Sequence, residues 1–358
     1  MPAHSHRKAG LTLAGAVILA AALAGCSGNA ATPAYTGPAP TVAQSGQVFT
    51  SPQLDITLTP VSGAAGLTVP DSNGGLTITV SKTGQPQLVT QNGNNYVPGD
   101  GLSFVAVEVA AAQLATPYPT WSQGTTQQAD TSAQFLIDNA PIGQSVSLPA
   151  VGATANWTVT APADSTIVLQ VTSGTVVQTV DAHTGQPMQS RAGAAPKGVT
   201  FAGEDAPAQS FDATPVTWIG TAWSASISVP FPAGTAYLTA YVDGAGWAPE
   251  GQAWLLLDFK NPVASTSPQC GGGSTYCGGG GTITDAITFS LTTSTGQTVT
   301  PFGAPPEKNA KQLLYQVSPS TTGFSLAVDC LTKVDVDSTF AYTPSQLDFT
   351  HTYTLTFQ

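Results

Sequence analysis

The chain has 358 residues, with nine Lys and Arg against 20 Asp and Glu, for a formal net charge of −11, and 41% of its residues are hydrophobic. The acidic balance argues against nucleic acid as a partner and against electrostatic attachment to anionic lipid, because both need basic patches. The hydrophobic content is too high for a disordered chain, so the sequence predicts a folded body.

The N-terminus has the anatomy of a secretory signal peptide. A basic start that includes Arg7 and Lys8 is followed by the uncharged apolar run "AGLTLAGAVILAAALAG" and then by Cys26. A basic region, a short apolar core and small residues at the cleavage site define such peptides. The alternative is a single transmembrane helix, but the run is about 17 residues, at the short limit for a span.

The residues Leu23-Ala24-Gly25-Cys26 resemble the lipobox of bacterial lipoproteins. The resemblance implies that residues 1–26 are a lipoprotein signal peptide and that Cys26 is diacylated and becomes the new N-terminus. Two acyl chains hold a protein stably on a membrane. The expected location is therefore the outer, extracytoplasmic face of the cell membrane, lipid-anchored. The Thr-rich, Lys-poor composition also resembles that of proteins secreted by actinobacterial-type Gram-positive bacteria.

Residues 27–50 read "SGNAATPAYTGPAPTVAQSGQVFT". Small residues and prolines dominate this stretch and no period appears in it, as in flexible linkers. We therefore predict a disordered tether between the lipid anchor and the folded body.

Beyond residue 50 the sequence predicts an all-β protein. Short alternating segments recur, and in "FTHTYTLTF" the residues at 349, 351, 353, 355 and 357 alternate with threonines. A strict period of two indicates a strand with unlike faces. Many short strands separated by turn residues are typical of β-sandwiches. About 310 residues is too long for one sandwich of ordinary size, so two domains are expected.

An internal repeat supports two tandem domains. "YVPGDGLSFVAVEV" at 96–109 aligns with "WAPEGQAWLLLDF" at 247–259, which places Gly101 on Gly251, and later segments keep similar spacing. Ordered, near-constant spacing is the signature of duplication. We predict β-sandwich domain A over 51–195, a linker over 196–211 and β-sandwich domain B over 212–358.

The turn, the Gly and the "FVAVEV"-type strand, followed by a Phe strand ending in "GQSV", are similar to immunoglobulin-like domains of secreted Gram-positive lipoproteins and antigens. The resemblance implies two tandem immunoglobulin-like β-sandwiches with an extracytoplasmic, non-enzymatic role. It transfers no catalytic residue.

The stretch "CGGGSTYCGGGG" places Cys270 and Cys277 seven residues apart. It lacks the Lys of a phosphate-binding loop and the paired spacing of zinc ligands. Thiols outside the membrane oxidise, so we predict a Cys270–Cys277 disulfide. Cys330 is then a free and buried thiol, although it could compete for either partner because sequence alone does not fix connectivity.

The sequence offers few catalytic or metal-binding candidates. His183 and His351 are the only histidines after signal removal; His183 lies in a predicted turn and His351 is expected to pack in a strand. Asp335 and Asp337, on one face of a predicted strand, could hold calcium, but a solvated acidic edge is the favoured interpretation. No cofactor and no metal are predicted.

Aromatic side chains are the better binding candidates. Glu108 and Asp258 mark what we take to be outer strand faces, which would leave Phe104 and Trp254 partly exposed. Trp121 and Trp247 lie in loop-like stretches. These four side chains could stack on a glycan or a partner protein, whereas the opposing interpretation places the tryptophans in a sandwich core.

The sequence therefore predicts a surface-anchored lipoprotein that serves as a binding or structural module of the cell envelope, not an enzyme. Its partners would be the membrane, through the lipid anchor, and an envelope protein or glycan. An envelope hydrolase with an unrecognised active site is the alternative.

Overall fold

A computed structural model describes residues 39–124, 130–191, 195–216, 221–270, 282–303, 310–335 and 340–358. These residues form strands, turns and loops, with no helix in the ranges described. It follows that no helix in the described part of the chain is long and apolar enough to cross a membrane. Pro40–Gln358 belong to one compact unit. The predicted signal peptide, Cys26 and residues 27–38 of the predicted tether lie outside the described residues.

The first sandwich is built from two core sheets and an outer sheet, with strands numbered in chain order. One core sheet has the spatial order β2 (Val48–Thr50), β12 (Thr154–Pro162), β9 (Leu102–Gln113), β6 (Leu76–Gly84) and β4 (Thr59–Pro60), with β5 (Leu67–Val69) also paired to β6. The other has the order β11 (Ala140–Val146), β10 (Thr131–Ile137), β13 (Ile167–Ser173), β14 (Val176–Asp181) and β15 (Pro187–Gln189). The outer sheet has the order β1 (Thr41–Ala43), β8 (Asn94–Pro98), β7 (Val89–Gln91) and β3 (Gln53–Leu54).

The second sandwich is built in the same way. One core sheet has the order β16 (Lys197–Phe201), β21 (Gly234–Thr239), β24 (Ala253–Phe259) and β28 (Gln312–Val317). The other has the order β27 (Thr298–Val299), β26 (Thr282–Thr293), β29 (Gly323–Asp335) and β31 (Gln346–Thr356). An additional sheet has the order β25 (Gln269–Cys270), β19 (Trp223–Ile227), β18 (Gln209–Pro215) and β30 (Phe340–Thr343). Two short pairs complete it, β17 (Glu204–Asp205) with β20 (Pro230–Phe231) and β22 (Tyr241–Val242) with β23 (Gly246–Trp247).

The two sandwiches share one strand order. In chain order, β6, β9, β10, β11, β12, β13 and β14 of the first match β21, β24, β26, β27, β28, β29 and β31 of the second. The first, second and fifth of these strands form one sheet, and the other four form the facing sheet. This is the arrangement of strands A-B-E against C′-C-F-G in an immunoglobulin-like sandwich. The predicted all-β, immunoglobulin-like fold class is therefore confirmed.

The turn that precedes the central strand is also the same in both sandwiches. Gly101 before β9 has φ +73° and Gly251 before β24 has φ +74°. This left-handed conformation strains any residue with a Cβ, which explains why the aligned positions in the repeat are both glycine. Nothing lies within 4 Å of a Cβ built at either position, so the constraint comes from the backbone and not from crowding.

Each sandwich buries the inward side chains of its two facing sheets. In the first, Val105, Val107 and Val109 of β9 pack against Phe135 and Leu169 of the opposite sheet. In the second, the long strands β29 and β31 pair through the eleven positions from Gly323↔Thr356 to Lys333↔Gln346. The alternating residues Phe349, Tyr353 and Leu355 of β31 point into the core and are buried, because a strand places every second side chain on one face.

The structure corrects two predicted boundaries. The predicted tether over 27–50 is too long, because β1 and β2 lie within it and bury Ala43 and Phe49 against the first sandwich. The predicted linker over 196–211 contains β16, and β18 begins within it; Phe201 and Phe211 are buried in the second core. Strands this short carry too few alternating residues to reveal a period among Gly, Ala and Pro.

The predicted exposure of two aromatic residues is wrong. Phe104 is 0% exposed and Trp254 is 2% exposed. The outer sheet covers Phe104, which meets Phe49 edge to face at a ring separation of 5.7 Å. Phe302 covers Trp254 at 4.8 Å, and the Trp254 indole donates a hydrogen bond of 3.0 Å to the Gly246 carbonyl. Glu108 and Asp258 mark the outer face of their core sheets, but other segments of the chain cover the outer face of each sheet.

We expect Phe104→Ala to destabilise the chain strongly, because it removes a buried ring between two sheets of the first sandwich. Truncation of a buried Phe costs about 3–5 kcal/mol of unfolding free energy. Val151→Ala is the control, since Val151 is 47% exposed and such surface changes stay within about 0.5 kcal/mol. Urea unfolding measures both variants. Equal effects of the two substitutions would contradict the covered position of Phe104.

Candidate ligand-binding cleft between the two sandwiches

Three aromatic rings join the two sandwiches. Tyr118 lies in the loop after β9 and is buried. Its ring contacts Tyr241 of the second sandwich at 5.2 Å and Trp247 at 6.3 Å, both edge on, and Tyr241 and Trp247 contact each other at 5.3 Å. Edge-to-face rings at these separations attract each other in addition to burying apolar area. We call these three residues the aromatic junction.

Hydrogen bonds fix the loop that carries Tyr118 to the second sandwich. The Trp121 N–H donates to the Asp243 carbonyl at 2.8 Å, and the Asp243 N–H donates to the Pro119 carbonyl at 2.9 Å. Ser122 donates to Gln312 Oε1 from its backbone N–H at 2.8 Å and from its hydroxyl at 2.9 Å. These hydrogen bonds therefore fix the position of the loop on the second sandwich, in addition to the apolar contact of the rings.

Arg191 adds a third contact between the two sandwiches. Its guanidinium donates to the Ala248 carbonyl at 3.0 Å and to the Pro249 carbonyl at 3.4 Å, and it lies 6.0 Å from the centre of the Trp247 ring. Its backbone N–H donates to Gln178 Oε1 at 3.2 Å. Gln178 is 1% exposed, so a buried amide orients the residue that carries this charge.

A cleft of about 450 Å³ opens beside Arg191, between the two sandwiches. The first sandwich contributes residues 175–177 and 189–191, and the second contributes residues 197, 238–240, 250–253 and 319. A second depression of about 580 Å³ shares Gly251 and Gln252 with the first. The two therefore meet at the turn that precedes β24.

The cleft concentrates positive charge in an acidic protein. Of nine Lys and Arg in the chain, Arg191 and Lys197 line it, together with one acid, Glu250. The two bonds of the Arg191 guanidinium to carbonyls engage two of its five N–H donors. A preorganised guanidinium with donors to spare is suited to bind a carboxylate or phosphate.

Three buried tyrosines of this protein are neutral at physiological pH. Burial raises the pKa of Tyr118 to about 12, and it raises the pKa values of Tyr315 and Tyr353 as well. Desolvation disfavours the phenolate in each case. Tyr118 therefore serves as a packing group in the junction and carries no charge toward the cleft.

The structure places the predicted aromatic candidates in the interior or at the junction. Trp121 and Trp247 are half-buried, and Trp121 packs on Phe302 at 5.9 Å. Phe104 lies inside the first sandwich, where it packs with Ala43, Phe49 and Val89 and not with the other three candidates. Trp121 and Trp247 thus lie at the contact between the sandwiches, and Trp254 is buried beneath Phe302 in the second sandwich.

The predicted disulfide lies largely outside the described residues. Cys277 is among those not described, and of Cys270 only the backbone is, in β25 opposite Ala225. Cys330 is a free thiol, 1% exposed in the second core. Its sulfur lies 3.7 Å from Thr332 Oγ1.

Both remaining histidines have structural contacts. His351 stacks on Phe231 at 5.3 Å, and its Nδ1 lies 3.2 Å from Glu204 Oε2. The His183 backbone N–H donates to Asp181 Oδ1 in a turn. Among the residues whose side chains are described, no group of three His, Cys, Asp or Glu is placed to hold a metal ion. The Asp335 side chain and Asp337 fall outside that set.

The sequence patterns did not single out Arg191, Lys197 or Glu250. One signal was present, since two of the nine basic residues stand six positions apart at the boundary between the two repeats. The two cavities form only when the turns at 250–252 and 318–321 meet distant segments, and no local pattern carries that information.

No family model and no curated protein matches this chain. Among solved structures, the crystal structure of the conserved domain protein from Bacillus anthracis is similar at 6% identity, over 82% of this chain and 91% of that chain, with a TM-score of 0.18. A likeness this weak carries no argument about function, so the cleft must be interpreted from its own residues.

We expect Tyr118→Ala to uncouple the unfolding of the two sandwiches. The junction rings couple them, so the parent chain should unfold in one calorimetric transition and the variant in two, since loss of a shared interface ends two-state behaviour. Tyr118→Phe keeps the ring and is the matched control. One transition in the alanine variant at an unchanged temperature would show that the junction does not couple the sandwiches.

Cys330 should resist alkylation in the folded protein. Burial raises the pKa of its thiol to about 11, so the reactive thiolate is absent at pH 8. The unfolded chain releases this proton from about pH 9, the ordinary value. The contribution of Cys330 to folding stability is therefore full below pH 9 and is lost as the pH rises toward 11.

Iodoacetamide treatment followed by peptide mass analysis checks this expectation. The Cys330 peptide should be labelled at pH 8 only after denaturation, with native labelling appearing toward pH 11. Rapid labelling of the native protein at pH 8 would show that the thiol is accessible.

Proposed function

We propose that this protein is a lipid-anchored binding module of the cell envelope. In this proposal residues 1–26 are removed, Cys26 carries the lipid, and a tether links it to two immunoglobulin-like sandwiches on the outer face of the cell membrane. The signal anatomy and lipobox of the sequence support the anchor. The actinobacterial-type, Gram-positive origin rests on composition and on the same resemblance.

The cleft beside Arg191 is the observation that carries the binding role. Its guanidinium is held by the Ala248 and Pro249 carbonyls and by the Trp247 ring, and Lys197 lines the same cavity. Binding groups fixed in advance reduce the entropy lost on association. The lining contributes recognition groups and charge, which fits a non-enzymatic role in the proposal.

The Cys270–Cys277 disulfide belongs to the same proposal. Cys330 is buried among core side chains, and this burial supports pairing between the other two cysteines of the mature chain. A bridge of this span closes a small loop and is worth about 2–3 kcal/mol at most. It would fasten the loop that follows β25.

A cell-based cross-linking experiment tests the binding role together with the anchor. We expect a photo-reactive residue at Gln252, on the turn shared by both cavities, to form an adduct with an envelope component in a Gram-positive host. The same residue at exposed Asn261, at the far end of β24, is the matched control. Absence of any adduct from Gln252, or equal adducts from both sites, would contradict binding at the cleft.

Cys26→Ala should release the protein from the membrane fraction, because the variant lacks the sulfur that would carry the lipid. Detergent phase partitioning of the wild type and the variant measures this directly. Equal partitioning of the two proteins into detergent would contradict the lipid anchor, and the cross-linking outcome would then be judged separately.

A further inference from the structure

We propose that the cleft between the sandwiches binds an acidic oligosaccharide, one that carries carboxylate groups on its sugar rings. This inference rests on the proposed binding function and names the chemical class of its ligand. It is carried by the extent of the groove, by the hydrogen-bonding groups that line it, by one exposed aromatic ring and by the two cations at one end.

The groove has room for several sugar rings. Cavities of about 450 and 580 Å³ adjoin at Gly251 and Gln252, and a pocket of about 300–1,000 Å³ is enough for a drug-sized ligand. Both cavities are also bordered by the turn at 318–321, through Pro319 in one and Ser318 and Thr321 in the other. A linear ligand can therefore pass from the charged part of the groove to the neutral part.

The neutral part of the groove has the chemistry of a sugar site. Amide and hydroxyl side chains dominate its lining, and they include Gln252, Gln297, Gln316, Thr298, Thr300 and Ser318. Each of these groups can both donate and accept hydrogen bonds. Sugar hydroxyls have the same dual character, so a sugar chain can exchange its bonds to water for bonds to this surface.

Phe302 supplies an apolar face within the same lining. It is 39% exposed, and its ring is held against Trp254 at 4.8 Å and Trp121 at 5.9 Å. These two tryptophan contacts fix the orientation of the ring. A fixed, partly exposed ring presents a flat surface on which the C–H face of a sugar can lie at little cost in side-chain entropy.

The charged part of the groove selects an acid. Arg191 offers a planar fork of N–H donors that matches a carboxylate, and Lys197 offers a compact positive charge. Glu250 lines the same cavity and can accept hydrogen bonds from sugar hydroxyls. The pairing of two cations with one acid favours a ligand that has both carboxylates and hydroxyl groups.

An extended peptide fits this groove less well. Peptides in grooves commonly add a strand to an exposed sheet edge. The edge strands β15 and β27 that line the groove have only three and two residues. Of the edge strand β16 only the first residue, Lys197, lines it, and the edge of β28 is already engaged, because the Phe302 N–H donates to the Leu314 carbonyl at 2.7 Å. Little free backbone is left for a ladder. The observations therefore favour a sugar over an acidic peptide, and the peptide becomes an outcome of the test.

Calorimetric titration of the chain from residue 27 onward tests the inference. The probes are hexamers of galacturonate and mannuronate and a hyaluronan hexasaccharide, each beside its carboxyl-reduced form, together with hexaglutamate. We expect at least one acidic hexamer to bind with an affinity that falls as salt rises, and carboxyl reduction to weaken it about tenfold, since charge-assisted hydrogen bonds are lost.

Two matched lysine variants locate the site. Lys197→Gln should weaken binding of the best hexamer about three- to tenfold, as expected for loss of one charge partner. Lys260→Gln should leave it unchanged, because Lys260 is exposed at the far end of β24 and lines neither cavity. Phe302→Ala should weaken the reduced and acidic hexamers equally, which a purely electrostatic surface would not do.

Three results would overturn the inference: no acidic hexamer binds, hexaglutamate binds as tightly as the best sugar, or the two lysine variants behave alike. The cross-linking experiment at Gln252 separates this failure from failure of the proposed function. If Gln252 forms an adduct with a protein while no sugar binds, the binding module stands and the sugar ligand is wrong. If neither an adduct nor sugar binding is found, both are wrong.

Discussion

The contact of Tyr118 with Tyr241 and Trp247 is the interaction on which the geometry of the cleft depends. Each sandwich has its own core. The aromatic junction turns two separate cores into one compact unit. Without it the walls of the cleft would belong to two bodies with no fixed geometry.

The contact between the sandwiches is built outside the strands that the two sandwiches share. Tyr118 and Trp121 lie in the long connection after β9, and Tyr241 and Trp247 belong to the short β22–β23 pair before β24. Neither segment belongs to the shared set of sandwich strands. The duplicated scaffold thus supplies two similar cores, and segments outside the seven shared strands supply the contact between them.

The strand faces were predictable where alternation was long. In β31 the period of two predicted both the strand and its buried side, because the alternation of the two faces continues over eleven consecutive residues. Aligned glycines before β9 and β24 revealed the duplication, since a left-handed φ leaves glycine as the favoured residue. The three-residue strands within 27–50 and the strands of two to seven residues that lie or begin within 196–211 offered no comparable signal, so the predicted boundaries there were wrong.

Burial of the outer faces and the cleft could not be read from the sequence. Alternation shows which residues share a face but not whether another sheet or loop covers it, as Phe104 and Trp254 demonstrate. The cleft needs the turn at 250–252 to meet residues 175–177 and 189–191 of the other sandwich. The approach of these segments depends on the aromatic junction, and no local sequence pattern indicates it.

The central claim is that the junction holds both sandwiches in one orientation, and residual dipolar couplings test it most directly. Backbone N–H couplings would be measured on the chain from residue 27 onward in a weakly aligning medium. We predict that the couplings of residues 41–189 and 197–358 fit a single alignment tensor. Two tensors that differ in magnitude and orientation would mean that the sandwiches move independently, and the cleft would then not exist as a fixed site.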